Sequence, residues 1–249
     1  MSSTLYKTKG IVLRSVKYGE TSIIAGIYTE LFGMQSYLVQ GVRTSSKKGP
    51  GKANYFQPGT VLDMVVYHNE LKQLQRIKEF KWAWLYRHTL SDVVKHSVLL
   101  YMTELMQKCL RQPEHHPELF HFMEDALQHL DQAERSTLAN YPLYFSLHFC
   151  SFFGFRINDE MANSSTLLDL KEGSFVTEPP QHAYYIEGEM AASLAELLKV
   201  MQPHELNEIT LHQQQRRKLL EAIELYYALH IAEFGKMKSA QILQEVLSA

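Results

Sequence analysis

Two hydrophobic periods divide this chain. Through its first eighty residues, apolar positions come in short β-branched runs separated by turn residues. Ile11-Val12-Leu13 leads through Tyr18-Gly19-Glu20 into a run over 21–28, Leu31-Phe32-Gly33 makes a turn, and residues 34–42 form a third run. Over 61–67 the alternation is clear, with Leu62, Met64 and Val66 on one side of a strand and Asp63 on the other. His68-Asn69-Glu70 turns the chain back into a last run over 71–77. Neighbouring strand side chains point to opposite faces, so such a run buries one face and wets the other. Five short strands joined by tight turns within about eighty residues predict a small closed or nearly closed all-β barrel.

From Lys81 the period lengthens. Val94, Val98, Met102, Leu105 and Cys109 recur at three- and four-residue spacing, and Pro113 stops that helix. Phe120, Met123, Leu127 and Leu130 mark a second helix, with Pro117 in its first turn. Pro142 opens a third, rich in aromatic residues: Tyr144, Phe145, Phe149, Phe152 and Phe153. Residues 155–187, with Asn158, Gly173 and Pro179-Pro180, break the period. Helical spacing returns over 190–200 and 211–234, where Gly235 ends it, and again over 239–247. The expected organisation is a β-module over 1–80, then a larger all-α domain over 81–249 with an irregular insertion at about 155–187.

Charge changes the picture. Residues 1–81 carry twelve Lys and Arg against five Asp and Glu, a net +7, whereas the other 168 carry thirteen against twenty-two, a net −9. The overall −2 hides a basic front end on an acidic body. A basic module of strands is an electrostatic design for holding a polyanion such as nucleic acid. Lys7, Lys9, Arg14 and Lys17 lie on the first strand, Arg43, Lys47, Lys48 and Lys52 in a Gly/Ser-rich loop, and Lys72, Arg76 and Lys78 around the last strand. Tyr6, Tyr18, Tyr37 and Tyr55 are interleaved with them. A tyrosine that stacks on a base contributes about 1–3 kcal/mol. The plainer alternatives are a solvated loop and tyrosines of the core or rim. Arg216, Arg217 and Lys218 form a second cluster, either a solvated helix face or a site for an acidic tail. The aromatic run over 141–155 reads as core packing, with a groove for a partner peptide as the sharper alternative.

Other chemistry finds little support. Cys109 and Cys150 sit in apolar helical stretches and make no disulfide framework, which suits a reducing cytosol. The opening MSSTLYKTKG lacks a signal-peptide core, and no run approaches the roughly eighteen apolar residues of a membrane span. Gly49-Pro50-Gly51-Lys52 fails as a phosphate loop, because Ser46 and Ala53 stand where Gly and Ser or Thr are required. His115, His116, Glu118 and His121 are the densest group of metal-ligand types, but they straddle Pro117 without the His-Glu-x-x-His spacing. An ordinary polar helix start and a metal-dependent hydrolase are the two readings of that group. No Gly-x-Ser-x-Gly elbow occurs, and Glu124 and Asp125, being adjacent on a helix, point apart. The expectation is a binding protein without catalytic residues, metal or cofactor.

Lys9-Gly10-Ile11-Val12-Leu13, Tyr18-Gly19-Glu20-Thr21-Ser22, Thr29-Glu30 and Gly33 resemble the opening of the RecO family of recombination mediators. Gly41-Val42-Arg43 with the Ser/Lys-rich loop resembles that family's basic segment, and Phe56-Gln57-Pro58 its next landmark. Gly154-Phe155 and Arg217-Lys218-Leu219-Leu220 with Tyr226-Tyr227 are similar to its helical half, so the resemblance covers nearly the whole length. It implies an OB-fold over the first eighty residues, binding to single- and double-stranded DNA, and annealing of complementary strands. It also implies partnership with RecR and with the acidic tail of the single-strand-binding protein, loading of the RecA recombinase, and a cytoplasmic, nucleoid-associated place of work. Many members carry a four-cysteine zinc site after the Gly-Phe landmark. Residues 155–187 contain no cysteine here, so a zinc-free variant is expected, held by Leu167, Leu168, Leu170, Phe175 and Val176. A single-stranded RNA-binding OB protein is the alternative within the binding class.

Overall fold

The computed structural model describes residues 4–42, 52–162 and 166–247. They form two compact units, one built from 1–87 and 106–128 and the other from 88–105 and 129–249.

The first unit is a closed five-strand barrel. Its strands are β1 (Thr4–Tyr18), β2 (Ser22–Thr29), β3 (Gly33–Val39), β4 (Val61–His68) and β5 (Leu74–Trp82), in the closed order β1-β2-β3-β5-β4. Closure depends on β1 serving two neighbours. Its first half, Thr4 to Ile11, pairs antiparallel with β4, and its second, Gly10 to Tyr18, pairs antiparallel with β2. The register slips between Val12 and Arg14. Such a bulge bends the strand and increases its twist, which lets one long strand turn the corner of a barrel. A short parallel contact, Ser36–Leu38 beside Leu74–Arg76, joins β3 to β5. Among the described residues each barrel strand thus has a partner on both sides.

The barrel core follows the alternation. Leu62, Met64 and Val66 are buried with Val12, Ile23, Ile27, Tyr37 and Val39, while Asp63 lies on the outer face. A 3₁₀ turn, Lys52–Phe56, adds Phe56 to the core against Phe80, and Tyr55 stacks on Trp82 with ring centroids 3.8 Å apart. Helix α1 (Val93–Cys109) gives its C-terminal end to this unit, and α2 (Pro117–Gln132) most of its length. On α2, Glu124 accepts two hydrogen bonds from Lys9 Nζ, at 2.9 and 3.0 Å, and Phe120 packs on Tyr28. Gly33 (φ 59°) turns β2 into β3 in the left-handed region. A Cβ there would lie 2.2 Å from the Glu114 carbonyl oxygen, so the segment after α1 can cross this turn only over a glycine.

The second unit is mainly helical, with α3 (Arg135–Leu138), α4 (Tyr141–Phe149), α5 (Gly188–Lys199), α6 (Gln213–His230) and α7 (Lys238–Val246). Helix α4 is apolar on every side and accordingly buried, Tyr141, Leu143, Phe145 and Phe149 being wholly enclosed. Its aromatic run is core. Ser146, a polar residue inside it, bonds to the Pro142 carbonyl and the Tyr101 hydroxyl, while the Tyr227 hydroxyl donates to the Ser146 carbonyl. The N-terminus of α7 is capped from a distance: the Glu104 carboxylate accepts the backbone N–H of Lys238 at 3.0 Å and of Ser239 at 2.7 Å.

Residues 155–187 are more regular than their sequence suggests. They contain β6 (Leu167–Asp169), β7 (Ser174–Val176) and β8 (Tyr185–Ile186), an antiparallel sheet of order β7-β6-β8. Strands of two and three residues are too short to show a period, which is why the sequence gives only an irregular stretch. Leu167, Leu168, Leu170 and Phe175 are buried as expected, and Val176 is half-buried. An aromatic clasp to α6 holds the segment. The Phe155 ring stacks on His230 (5.1 Å, 5° between planes), and the Phe155 carbonyl accepts the Tyr226 hydroxyl at 2.6 Å. His230 Nε2 also lies 3.1 Å from the Leu170 carbonyl. Among the described residues no helix is long and apolar enough to cross a membrane.

Candidate nucleic-acid interface

The barrel unit carries a broad groove between the β2–β3 turn, the β4–β5 turn and the segment after α1. One wall is aromatic. Buried Thr29 fixes the β2–β3 turn, its Oγ1 accepting the Phe32 N–H and donating to the Gly33 carbonyl, both at 3.0 Å. That turn sets the Phe32 ring flat on His68, with centroids 3.8 Å apart and planes 10° from parallel. Tyr6 meets Phe32 edge-on at 5.1 Å and keeps 39% of its surface exposed. Burial holds the His68 imidazole below its ordinary pKa, against the weaker opposing pull of Glu70, so it is a neutral ring near pH 7.

The other wall supplies charge. Arg14, Lys72 and Arg111 line the groove, with Glu70 as its carboxylate. Arg14 sits beyond the β1 bulge and opposite Gly26, where a Cβ would come within 2.8 Å of its side chain. The glycine thus makes room for the arginine to lie over β2. Arg111 Nε donates to the Lys108 carbonyl at 3.0 Å, which steadies the guanidinium at the end of the helix. Gln35 Nε2 is held by the Phe32 carbonyl at 2.9 Å. Cations set along an aromatic platform suit a phosphate backbone whose bases can stack.

The residues singled out from sequence distribute unevenly. Arg14 enters this groove. Lys7, Lys17, Lys52 and Arg76 are exposed elsewhere on the barrel. Lys7 faces a different hollow, where Lys9 and Lys81 meet Glu30, Asp63 and Glu79, so the local charge is balanced. Lys9 needs a correction. Its ammonium is committed to Glu124, whose side chain is only 6% exposed, and that hydrogen-bonded partner raises the lysine pKa. It is an internal counter-ion rather than a spare phosphate contact. Tyr37 is corrected as well: it is wholly buried in the core, burial pushing its phenol well above the ordinary range, and shows no face to a base. Arg43, Lys47 and Lys48 lie outside the described residues.

On the helical unit, Arg216 is half-buried and donates to the Leu211 carbonyl, and burial lowers its pKa. Arg217 pairs with Glu221 along α6 at 3.0 Å, and Lys218 is exposed. Arg216 and Arg217 line a shallow hollow with Leu220 and with Gln241 and Gln244 of α7. The histidine-rich stretch disperses. His116 Nδ1 accepts the Leu119 N–H at the start of α2, His121 lies 3.8 Å from Glu30, and His115 lines the barrel groove. Among the described residues no three His, Cys, Asp or Glu side chains gather to hold a metal ion.

Phe32, His68 and Arg111 were not legible as site residues. Phe32 had one signal, an aromatic ring inside a turn. Arg111 had none, because it belongs to the helical period and reaches the groove only through the fold.

The strand order and the groove flanked by its β4–β5 turn are those of the OB class of barrel. Residues 1–86 match the family described as recombination protein O N terminal, and residues 90–240 the one described as recombination protein O C terminal. The DNA repair protein RecO of Flavobacterium psychrophilum is 33% identical over 242 residues, covering 97% of this chain and 99% of the relative. That of Phocaeicola vulgatus is 31% identical over 244 residues (98% and 100%), and that of Christiangramia forsetii 31% over 243 (97% and 99%). The chain belongs to the RecO family of DNA repair and recombination proteins.

Proposed function

We propose that this protein is a non-enzymatic mediator of recombinational repair that holds DNA in the barrel groove. The observation that carries the reading is that Arg14, Lys72 and Arg111 line one groove with the stacked Phe32 and His68 rings, which Tyr6 backs edge-on through Phe32. The cations neutralise phosphates, and the rings stack on bases without reading sequence, so binding is strong at low salt and indifferent to sequence. Annealing follows when two strands are held with their charge screened and their pairing edges open. Resting on the family relationship, the proposal extends to single- and double-stranded DNA as ligands, RecR and the acidic tail of the single-strand-binding protein as partners, and loading of RecA onto coated strands as the joint outcome. Arg216, Arg217 and Lys218 are the helical-unit residues offered to an acidic partner. Lys7, Lys17, Lys52 and Arg76, with Arg43, Lys47 and Lys48, supply the wider positive field of a module spanning residues 1–80.

The test is salt-dependent binding of labelled single-stranded DNA by the wild type and by the variant R14E/K72E/R111E. About 0.7 of a unit of log–log salt slope goes with each phosphate contact on a single strand, so the variant's slope is expected to be shallower by about 2 units. Equal slopes and affinities would remove DNA from this groove. Tighter binding of RNA than of DNA of equal length would favour the RNA-binding alternative.

A further inference from the structure

Leu71 is the most exposed of the large apolar side chains among the described residues, with 80% of its surface open to solvent. Its position is nonetheless tightly built. It stands in the β4–β5 turn, where the Asn69 side chain accepts the Leu71 N–H at 2.9 Å and the Asn69 carbonyl accepts the Lys72 N–H at 3.0 Å. Gln75, only 3% exposed, then braces the whole turn: its Nε2 donates to the carbonyls of Asn69 and Lys72 at 2.8 and 2.7 Å, and its Oε1 accepts the Asn69 N–H at 3.1 Å. A buried amide with its hydrogen-bonding capacity spent on one turn is a preorganising device, yet the leucine it presents is left mostly in solvent. Leu71 lines the same groove as Phe32 and His68, between Lys72 and Glu70.

We propose that Leu71 is an apolar wedge that inserts between neighbouring bases of a single strand, parting one stack beside the Phe32–His68 platform. The occupant follows from the surroundings. Phosphates are met by Arg14, Lys72 and Arg111, and a single strand sets a flat base face beside every phosphate, whereas an acidic peptide does so only where an aromatic residue happens to follow its carboxylates. Parting a step costs more in a duplex, where pairing holds both strands in the stack, so a duplex gains less from the leucine and relies on the cations. The wedge therefore makes the groove selective for single strands. A rigid turn matters here, because a mobile leucine would lose on ordering much of what insertion gains. This inference rests on the placement of DNA in the groove.

The experiment compares wild type, L71S and L71F on a 2-aminopurine-labelled single strand and on a duplex of equal length. For L71S the expected result is about tenfold weaker single-strand binding, an unchanged salt slope, unchanged duplex affinity, and loss of the fluorescence rise that reports a parted base stack. L71F is expected to restore both affinity and fluorescence. Single-strand affinity and fluorescence unchanged in L71S, while R14E/K72E/R111E weakens binding, would overturn the wedge, leave DNA in the groove, and assign Leu71 to a protein partner. Equal losses on single strand and duplex would also overturn it. Failure of R14E/K72E/R111E to weaken binding would overturn the placement of DNA and the wedge with it.

Discussion

Lys9 lies on the basic strand β1, and two accounts of it make opposite predictions. As a phosphate contact, its loss would weaken DNA binding and leave the fold alone. In the structure its ammonium stands 2.9 and 3.0 Å from the two oxygens of Glu124, a carboxylate that is almost wholly buried. Lys9→Met strands that charge. Removing one partner of a fully buried pair costs about 3–5 kcal/mol. The Lys9 side chain is 40% exposed, so water relieves part of the cost and about 2 kcal/mol is expected. The double variant K9M/E124M removes the stranded charge and should recover most of the loss. Both tryptophans of the chain, Trp82 and Trp84, belong to the barrel unit, so tryptophan emission, excited selectively beyond the tyrosine band, reports that unit alone in urea. At a slope of about 2 kcal/mol per molar urea the midpoint should fall by about 1 M. Affinity for single-stranded DNA at a denaturant-free, low temperature should change less than twofold. An unchanged midpoint together with a clear loss of DNA affinity would refute the counter-ion role.

Other consequences are as specific. Gly33→Ala places a Cβ at φ 59° and against the Glu114 backbone, and should lower barrel stability by about 3 kcal/mol, read by the same tryptophan fluorescence. Glu104→Ala uncaps α7, costing about 1–2 kcal/mol and speeding hydrogen exchange at the Lys238 and Ser239 amides. His148 is neutral, with Nε2 2.8 Å from the Val200 carbonyl, and burial depresses its pKa. The unfolded chain therefore takes up that proton first, so the contribution is complete above about pH 6.5 and is lost as pH falls through the lower folded value. His148→Gln should flatten the fall in urea midpoint, followed by circular dichroism, between pH 7.5 and 5.5.

How much was legible follows from the length of each pattern. The strands of the barrel and the long helices declared themselves because their periods run for many residues, as in the alternation of Leu62, Met64 and Val66 or the spacing of Val98, Met102 and Leu105. The three-stranded sheet at 167–186 did not, since strands this short carry no period; its clasp of Phe155 and His230 joins residues 75 positions apart. The basic character of the front end was visible as a count, but a count cannot say which cations are already paired. Lys9 is consumed by a carboxylate 115 residues away, and Tyr37 is drawn inward by the same alternation that buries Ile27. Arg111 makes the opposite journey, from a helical stretch into the groove of the barrel unit. Local sequence fixes the elements, whereas the site is assembled by contacts between distant ones.

The central claim is that nucleic acid lies on the Tyr6–Phe32–His68 platform of the barrel, and photo-crosslinking tests it most directly. A single strand carrying 4-thiothymidine would be irradiated with the full-length protein and the crosslinked peptides mapped by mass spectrometry. Crosslinks are expected at Tyr6, Phe32 or His68, abolished by excess unlabelled single strand and weakened by R14E/K72E/R111E. Crosslinks confined to residues 129–249, with none in the barrel, would contradict it.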